Sequence, residues 1–225
     1  MRKIDKSKIL STEYKAWEEN KVGDHPPYTN TTTRNKYYLD ILMNLYHCQE
    51  GLCAYTEKDI FTDFHNLLKE ENWEAGKYNK ARPRNEGEVD HFDSSLKSNK
   101  AWLWDNLFAV LGKANNEKRT HKIDERLKPD TPDFDPFKLF EYDIDKDVFI
   151  PNTTTFQSDS EKNIISDSIF HLGINFVQGH RSRALKPILK QIELGVETWG
   201  SIEVREYPTA FEFYKQHFKN NFSST

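Results

Sequence analysis

The chain has 225 residues, of which 36% are hydrophobic and 30% are charged, and its formal net charge is −4. That length and apolar content suffice for one good-sized domain or two small ones. An acidic chain is a poor stand-alone binder of nucleic acid, because affinity for phosphates comes mostly from lysine and arginine. Two cysteines exclude a disulfide framework. No apolar stretch approaches the roughly 18 residues that span a bilayer, and no secretory signal follows Met1, so we expect a cytoplasmic protein without a membrane partner.

Helical periodicity is clearest over residues 34–48, where Tyr37, Ile41 and Leu45 share one face. The rest of the pattern predicts, in order, a polar loop at 18–33, a short helix at 60–70, a basic turn-rich segment at 74–87, a proline-rich linker at 128–136, a β-hairpin at 139–142 and 148–150, and helices near 160–178, 181–195 and 206–220. Together they predict an α+β fold, mostly helical, in a single domain over residues 1–225.

The predicted hairpin carries Asp143, Asp145 and Asp147 at alternate positions of its turn. This spacing invites comparison with a calcium loop, but the glycine and terminal glutamate of an EF-hand loop are absent. We therefore predict a solvated acidic turn without a metal.

The most informative motif is Asp90-His91, near the end of a predicted strand at 87–92. Asn106 follows on a predicted return strand at 104–110. A histidine beside a carboxylate is often only a structural hydrogen-bond partner, and Asn106 can serve only to stabilise a turn. The order and spacing of these residues nevertheless favour a catalytic site.

The third part of the motif is Asn115, at the start of a predicted helix that runs to Arg119. Hydrolysis of a phosphodiester needs a base to activate water, which suits His91, and a cation at the phosphate. The oxygen atoms of Asp90 and Asn115 suit Mg²⁺ or Mn²⁺. Asn116 is the alternative ligand if the helix starts one residue later, and Asn115 can instead be an ordinary helix N-cap.

From residue 50 onward the chain resembles a bacterial family of small HNH (ββα-metal) proteins that includes the nuclease subunit of Septu and retron-associated anti-phage systems. The resemblance rests on the segments Cys53-Ala54-Tyr55-Thr56-Glu57, Val89-Asp90-His91-Phe92, Trp104-Asp105-Asn106-Leu107 and Asn115-Asn116-Glu117-Lys118. It implies an HNH core embedded at 50–127, with an N-terminal helix and a C-terminal helical extension. It also implies that His91 is the general base, that Asn106 positions it, and that Asp90 and Asn115 hold one divalent ion.

One departure from the family concerns zinc. The family's two Cys-x-x-Cys pairs correspond here to Cys53, Thr56, Leu111 and Ala114. One thiol and three non-ligands cannot form a tetrahedral sulfur site. We therefore expect no structural zinc and a core held by packing.

Basic residues flank the motif. Candidate contacts to nucleic-acid phosphates are Lys113, Lys118 and Arg119. Other basic residues are Lys77, Lys80, Arg82 and Arg84 before the strand, and His180, Arg181, Arg183, Lys186 and Lys190 in a C-terminal helix. Charge runs are usually solvated faces, so these groups carry weight only where they approach the site.

The resemblance implies a metal-dependent endonuclease acting on nucleic acid, with DNA favoured, as the effector subunit of an anti-phage complex. The chain contains no Gly-x-x-x-x-Gly-Lys loop, so any ATP control would come from an ATPase subunit encoded nearby. Two alternatives stay open: a catalytically weak adaptor subunit of such a complex, and a nuclease acting on RNA such as tRNA.

Overall fold

The computed structural model describes residues 1–83 and 87–222, with side chains through 219, as a mixed α+β fold. Its α-helices are α1 (Thr12–Glu19), α2 (Thr31–Cys48), α3 (Gly112–Lys118), α4 (Pro136–Leu139), α5 (Asp159–His171), α6 (Gln178–Glu193) and α7 (Pro208–Phe222). Its strands form three antiparallel pairs, namely β1 (Trp73–Glu74) with β2 (Lys77–Tyr78), β3 (Gly87–His91) with β4 (Leu107–Leu111), and β5 (Phe140–Asp143) with β6 (Val148–Pro151). Within the described ranges, no helix is both long and apolar enough to cross a membrane.

Helix α2 confirms the clearest periodicity of the sequence. It begins three residues before the predicted start, because the side chain of Asn30 caps it by accepting a hydrogen bond from the Thr33 amide at 2.9 Å. Its apolar face, including Ile41 and Leu45, is fully buried. The helix packs against β3 and β4 and thereby supports the strand that ends in Asp90-His91.

Two elements lie where the sequence predicts none. Helix α1 is eight residues long with Tyr14 buried, and the side chain of Ser11 caps it. The β1–β2 hairpin turns through Gly76 with φ of +79°, a left-handed conformation that favours glycine. The predicted helix at 60–70 is present only as a short 3-10 segment, Phe64–Leu68.

The β3–β4–α3 unit has the predicted order but different boundaries. Asn106 lies in a 3-10 turn before β4 and not on the strand, because its backbone N–H donates a hydrogen bond to the Leu103 carbonyl at 2.9 Å. Asn115 lies inside α3 and not at its start, because the helix begins at Gly112 directly after β4. Asn115 is therefore not an N-cap. The helix ends before Arg119, whose φ of +47° departs from helical geometry.

The C-terminal half contains the predicted β5–β6 hairpin, but the elements around the hairpin differ from the prediction. Helix α5 ends at His171, well before the predicted 178, and Gly173 follows it with φ of +67°. The predicted solvated turn is wrong for Asp147, which is buried. Its backbone oxygen accepts a hydrogen bond from Arg181 at 2.7 Å. Arg181 is therefore not part of an exposed basic face.

The buried apolar side chains form one cluster that extends from Met1 to Tyr214. Trp102, Tyr55 and Phe108 are among its largest fully buried members, and all three lie in or beside the β3–β4–α3 unit. Large, fully buried side chains of the cluster thus lie next to the candidate site.

Candidate active site

The candidate site lies where β3 ends. The antiparallel register places Asp90 opposite Phe108 and His91 opposite Leu107. Helix α3 packs against both strands and so brings its own side chains over the end of β3. Both Asp90 and His91 are 1% exposed, which makes the site a closed one in this structure.

His91 is oriented by the backbone. Its Nε2 lies 2.7 Å from the carbonyl oxygen of Ala101. A carbonyl only accepts hydrogen bonds, so Nε2 carries the proton of the neutral imidazole and Nδ1 is the basic nitrogen. Burial lowers the pKa of His91 to about 4, against a smaller raising effect of the Ala101 hydrogen bond. The ring is therefore neutral at physiological pH and able to accept a proton.

Asn106 holds the segment that follows His91. Its Oδ1 accepts a hydrogen bond from the Asp93 amide at 2.8 Å, and its Nδ2 donates to the Asp93 carbonyl at 2.9 Å. The Asn106 carbonyl also accepts from the Phe92 amide at 2.8 Å. These three hydrogen bonds fix residues 92–93 and, through them, the backbone of His91.

Asp90 is held by two side chains. The Tyr55 hydroxyl donates to its Oδ2 at 2.7 Å, and the Lys118 ammonium lies 3.2 Å from the same oxygen. Lys118 also donates to the His91 carbonyl at 2.5 Å. Burial raises the pKa of Asp90 and lowers the pKa of Lys118, while their mutual attraction opposes both shifts. The arrangement is a buried ion pair with an additional tyrosine hydrogen bond.

The two predicted magnesium ligands, Asp90 and Asn115, are bonded to different side chains. Asn115 donates from Nδ2 to Glu88 Oε2 at 3.0 Å, and Glu88 lies two residues before Asp90 on the same face of β3. The alternative ligand Asn116 is exposed and accepts a hydrogen bond from Arg119 at its backbone oxygen. The described residues contain no group of three histidine, cysteine or acidic side chains that could hold a metal.

A divalent ion does not fit Asp90 as the side chains stand. The cation beside this carboxylate is Lys118, and one of its oxygens already accepts a hydrogen bond from Tyr55. An ion at Asp90 would have to share the carboxylate with the Lys118 ammonium, whose positive charge repels it. Magnesium or manganese therefore stays a prediction of the sequence.

The positions that correspond to the family's cysteines do meet in space. Thr56, Leu111 and Ala114 line one cavity of about 390 Å³. The Sγ of Cys53 accepts a hydrogen bond from the Leu111 amide at 3.2 Å. These contacts place the four positions together, with one sulfur and three side chains that are not zinc ligands.

The candidate phosphate contacts have three different environments. Lys113 is exposed and lies 5.3 Å from the ring centroid of Phe176, beside the cavity at Ala114. Lys118 is fully buried, so it does not belong to a solvated basic face. Arg119 is exposed at the end of α3. Arg84 lies outside the described residues.

Two contributors to the site were absent from the predicted set. Tyr55 belongs to the Cys53–Glu57 segment that carries the family resemblance, and this was the available signal for it. Tyr28 lies in a loop predicted only as polar, yet its ring meets the His91 ring edge-on at 4.7 Å between centroids. No local pattern in that loop marks Tyr28 as a neighbour of His91.

Comparisons with known proteins give no family assignment, since neither the family models nor the curated proteins contain a match to this chain. The functional argument therefore depends on the site itself.

Proposed function

We propose that the chain is an HNH-type endonuclease that hydrolyses phosphodiester bonds in nucleic acid, with DNA favoured as the substrate. The observation that carries the proposal is the backbone-oriented His91 at the end of β3, beside Asp90, in a β3–β4–α3 unit with Asn106 bracing the following segment. A neutral, fixed imidazole next to a charged pair is what activation of water at a phosphate requires.

In this proposal Nδ1 of His91 removes a proton from water, while Nε2 stays bonded to the Ala101 carbonyl. A base whose pKa is about 4 is weak at neutral pH. Because burial causes the lowering, entry of water and of an anionic phosphate would move the pKa back toward its ordinary value. Binding of the substrate would thus improve the base.

Lys118 supplies positive charge at the strand end through its contacts with Asp90 and the His91 carbonyl. We propose that Tyr55 orients the Asp90 carboxylate, that Asp90 holds the ammonium at the strand end, and that an arriving phosphate competes with Asp90 for this charge. The Tyr28 ring contacts the His91 ring edge-on, so a substrate that reaches the imidazole passes beside Tyr28.

A second candidate function, that of a catalytically weak adaptor, is favoured by one observation. His91 is 1% exposed and Asp90 is already neutralised by Lys118, an arrangement that is complete without substrate or metal. In either role we propose that the chain works beside an ATPase subunit encoded nearby in an anti-phage complex, because the resemblance to defence-system nuclease subunits implies such a partner and the sequence contains no nucleotide-binding loop of its own.

The test is a cleavage panel with the purified chain, alone and co-expressed with the neighbouring ATPase. Duplex DNA, single-stranded DNA and total tRNA are each incubated with Mg²⁺, Mn²⁺ or EDTA, and the products are separated on gels. Cleavage that EDTA abolishes supports a metal-dependent nuclease, and cleavage in EDTA assigns the cation role to Lys118. A complex that binds nucleic acid and cuts none of the substrates supports the adaptor.

A further inference from the structure

Beside His91 the structure has four side chains that alternate between rings and guanidinium groups. The guanidinium of Arg34 lies 5.7 Å from the ring centroid of Tyr28 and 5.3 Å from that of Tyr38. The guanidinium of Arg82 lies 5.5 Å from the Tyr38 ring. We call these four residues, Tyr28, Arg34, Tyr38 and Arg82, the aromatic–arginine ladder.

One end of the ladder is at the candidate site. Tyr28 meets the His91 ring edge-on and also packs on Trp102, with centroids 5.0 Å apart. Burial is the main cause that raises the pKa of the Tyr28 hydroxyl, and the charges of Asp90 and Glu88 are among its further causes. The contacts with His91 and Trp102 thus place this end of the ladder at the candidate site.

The ladder is accessible from solvent. Tyr28 and Tyr38 are partly exposed, whereas Arg34 and Arg82 are exposed. A guanidinium that stacks on a ring keeps its N–H edge for phosphate oxygens. The ladder thus combines flat apolar faces with positive edges. Tyr28 lies in the loop before α2, Arg34 and Tyr38 lie on α2, and Arg82 lies after β2.

We propose that the aromatic–arginine ladder binds unpaired nucleotides of a single-stranded nucleic acid, with bases stacked on its rings and guanidinium planes and phosphates held at the arginine edges. The inference rests on the proposed function, because a strand that follows the ladder to Tyr28 brings a phosphate to His91. It deepens that function by naming the substrate class.

Two arguments favour single strands over duplexes. The faces of bases are hidden inside a duplex, so rings and guanidinium planes can stack only on unpaired bases. The chain also has a net charge of −4, and stacking supplies affinity that does not depend on the number of phosphates neutralised. A ladder with two arginines and two tyrosines is the kind of surface on which an acidic protein can bind a strand.

The test measures binding by fluorescence anisotropy in EDTA, with a labelled oligothymidylate and the matching duplex as probes. We expect the full chain to bind the single strand more tightly. Tyr38→Leu should weaken single-strand binding by about 5- to 150-fold, the range for loss of one stacking ring, whereas Tyr38→Phe should retain binding because it keeps the ring. Thermal melting of each variant confirms that it is folded.

The arginines give a second readout. Arg34→Gln combined with Arg82→Gln should reduce the slope of log affinity against log salt by about 1.4, because each single-strand phosphate contact contributes about 0.7. The matched control is Arg126→Gln, since Arg126 is also an exposed arginine over a ring, lying 4.9 Å from Phe156 outside the ladder. We expect this control to bind like the unmodified protein.

The outcomes separate the two proposals. Equal affinity for duplex and single strand, or Tyr38→Leu binding as tightly as the unmodified chain, would overturn the ladder while leaving cleavage open. Selective single-strand binding that depends on Tyr38, in a protein that cleaves nothing, would retain the ladder and remove the nuclease. Absence of binding to both probes would overturn the ladder outright.

Discussion

The two halves of the candidate site are built from different kinds of interaction. The half that holds His91 and Asn106 consists of hydrogen bonds to backbone groups at Ala101 and Asp93. The half that holds Asp90 consists of a buried charge on Lys118 and the Tyr55 hydroxyl. The first half orients a neutral ring, and the second keeps two opposite charges out of water.

The difference distinguishes the part of the site that stays fixed from the part that can change its partners. A backbone carbonyl stays in place when a ligand arrives, so the orientation of His91 does not depend on substrate. The Asp90–Lys118 pair is different, because either charge can find a new partner in an anion or a cation. We therefore expect the first half to be the rigid part of the site and the second to be the part that responds to ligands.

The largest effect should come from breaking the charged half. Lys118→Met leaves the Asp90 carboxylate buried without its cation, which we expect to lower the free energy of unfolding by about 3–5 kcal/mol. The combined change Asp90→Asn and Lys118→Met removes both charges and should recover part of this loss. Urea unfolding of the single and double variants measures both quantities.

The control for this cycle is Lys138→Met, because the Lys138 side chain is 77% exposed and pairs with Asp135, the N-cap of α4. It should change the free energy of unfolding by no more than about 0.5 kcal/mol. If Lys118→Met is as mild as this control, Lys118 and Asp90 do not form a buried pair.

The histidine half predicts a dependence of stability on pH. The pKa of His91 is about 4 in the folded chain, below its ordinary value of 6.5, so the unfolded chain binds an additional proton between these pH values. The contribution of His91 to stability is therefore fully present above about pH 6.5 and is lost as the pH falls toward 4. Its size is up to about 3 kcal/mol.

The measurement compares unfolding of the unmodified chain with His91→Gln, whose amide can still donate to the Ala101 carbonyl, over that pH range. The difference between the two curves isolates the titration of His91, since Asp90 and Lys118 are common to both. Parallel curves from pH 6.5 to 4 would mean that His91 titrates normally and is not desolvated.

A smaller effect is expected from Asn106→Ala. Loss of the two side-chain hydrogen bonds to Asp93 should destabilise the fold by about 1–3 kcal/mol. The matched control is Asn152→Ala, since the Asn152 side chain also bonds to backbone groups, at Phe137 and Thr154, beyond β6. Both variants should lose stability, and only Asn106→Ala should also slow cleavage; equal cleavage rates would leave Asn106 a purely structural residue.

Local patterns predicted the elements that have strong periodicity or clear turn chemistry. Helix α2 and the β5–β6 hairpin are confirmed, with boundaries that shift by one to three residues. Helix α1 was missed, because its eight residues include only Tyr14, Ala16 and Trp17 as apolar positions. Helix α5 is shorter than predicted, and the left-handed Gly173 marks its end.

The site divides in the same way. Sequence order brought Asp90, His91 and Asn106 together, since strand pairing across β3 and β4 follows from local pattern. The burial of Lys118 beside Asp90 could not be predicted, because a lysine on a short helix is expected to be exposed to solvent unless its tertiary contacts are known. Tyr28 was missed for the same reason, because its neighbour His91 is distant in sequence.

The central claim is that His91 is the base of a nuclease, and single-turnover cleavage of a labelled strand tests it most directly. We expect His91→Ala to reduce the rate by about 10²–10⁴-fold, the range for loss of a positioned base. His65→Ala, which changes an exposed histidine in the 3-10 segment Phe64–Leu68, outside the β3–β4–α3 unit, should cleave at the unmodified rate. If folded His91→Ala cleaves as fast as His65→Ala, His91 is not the base and the account of the site is wrong.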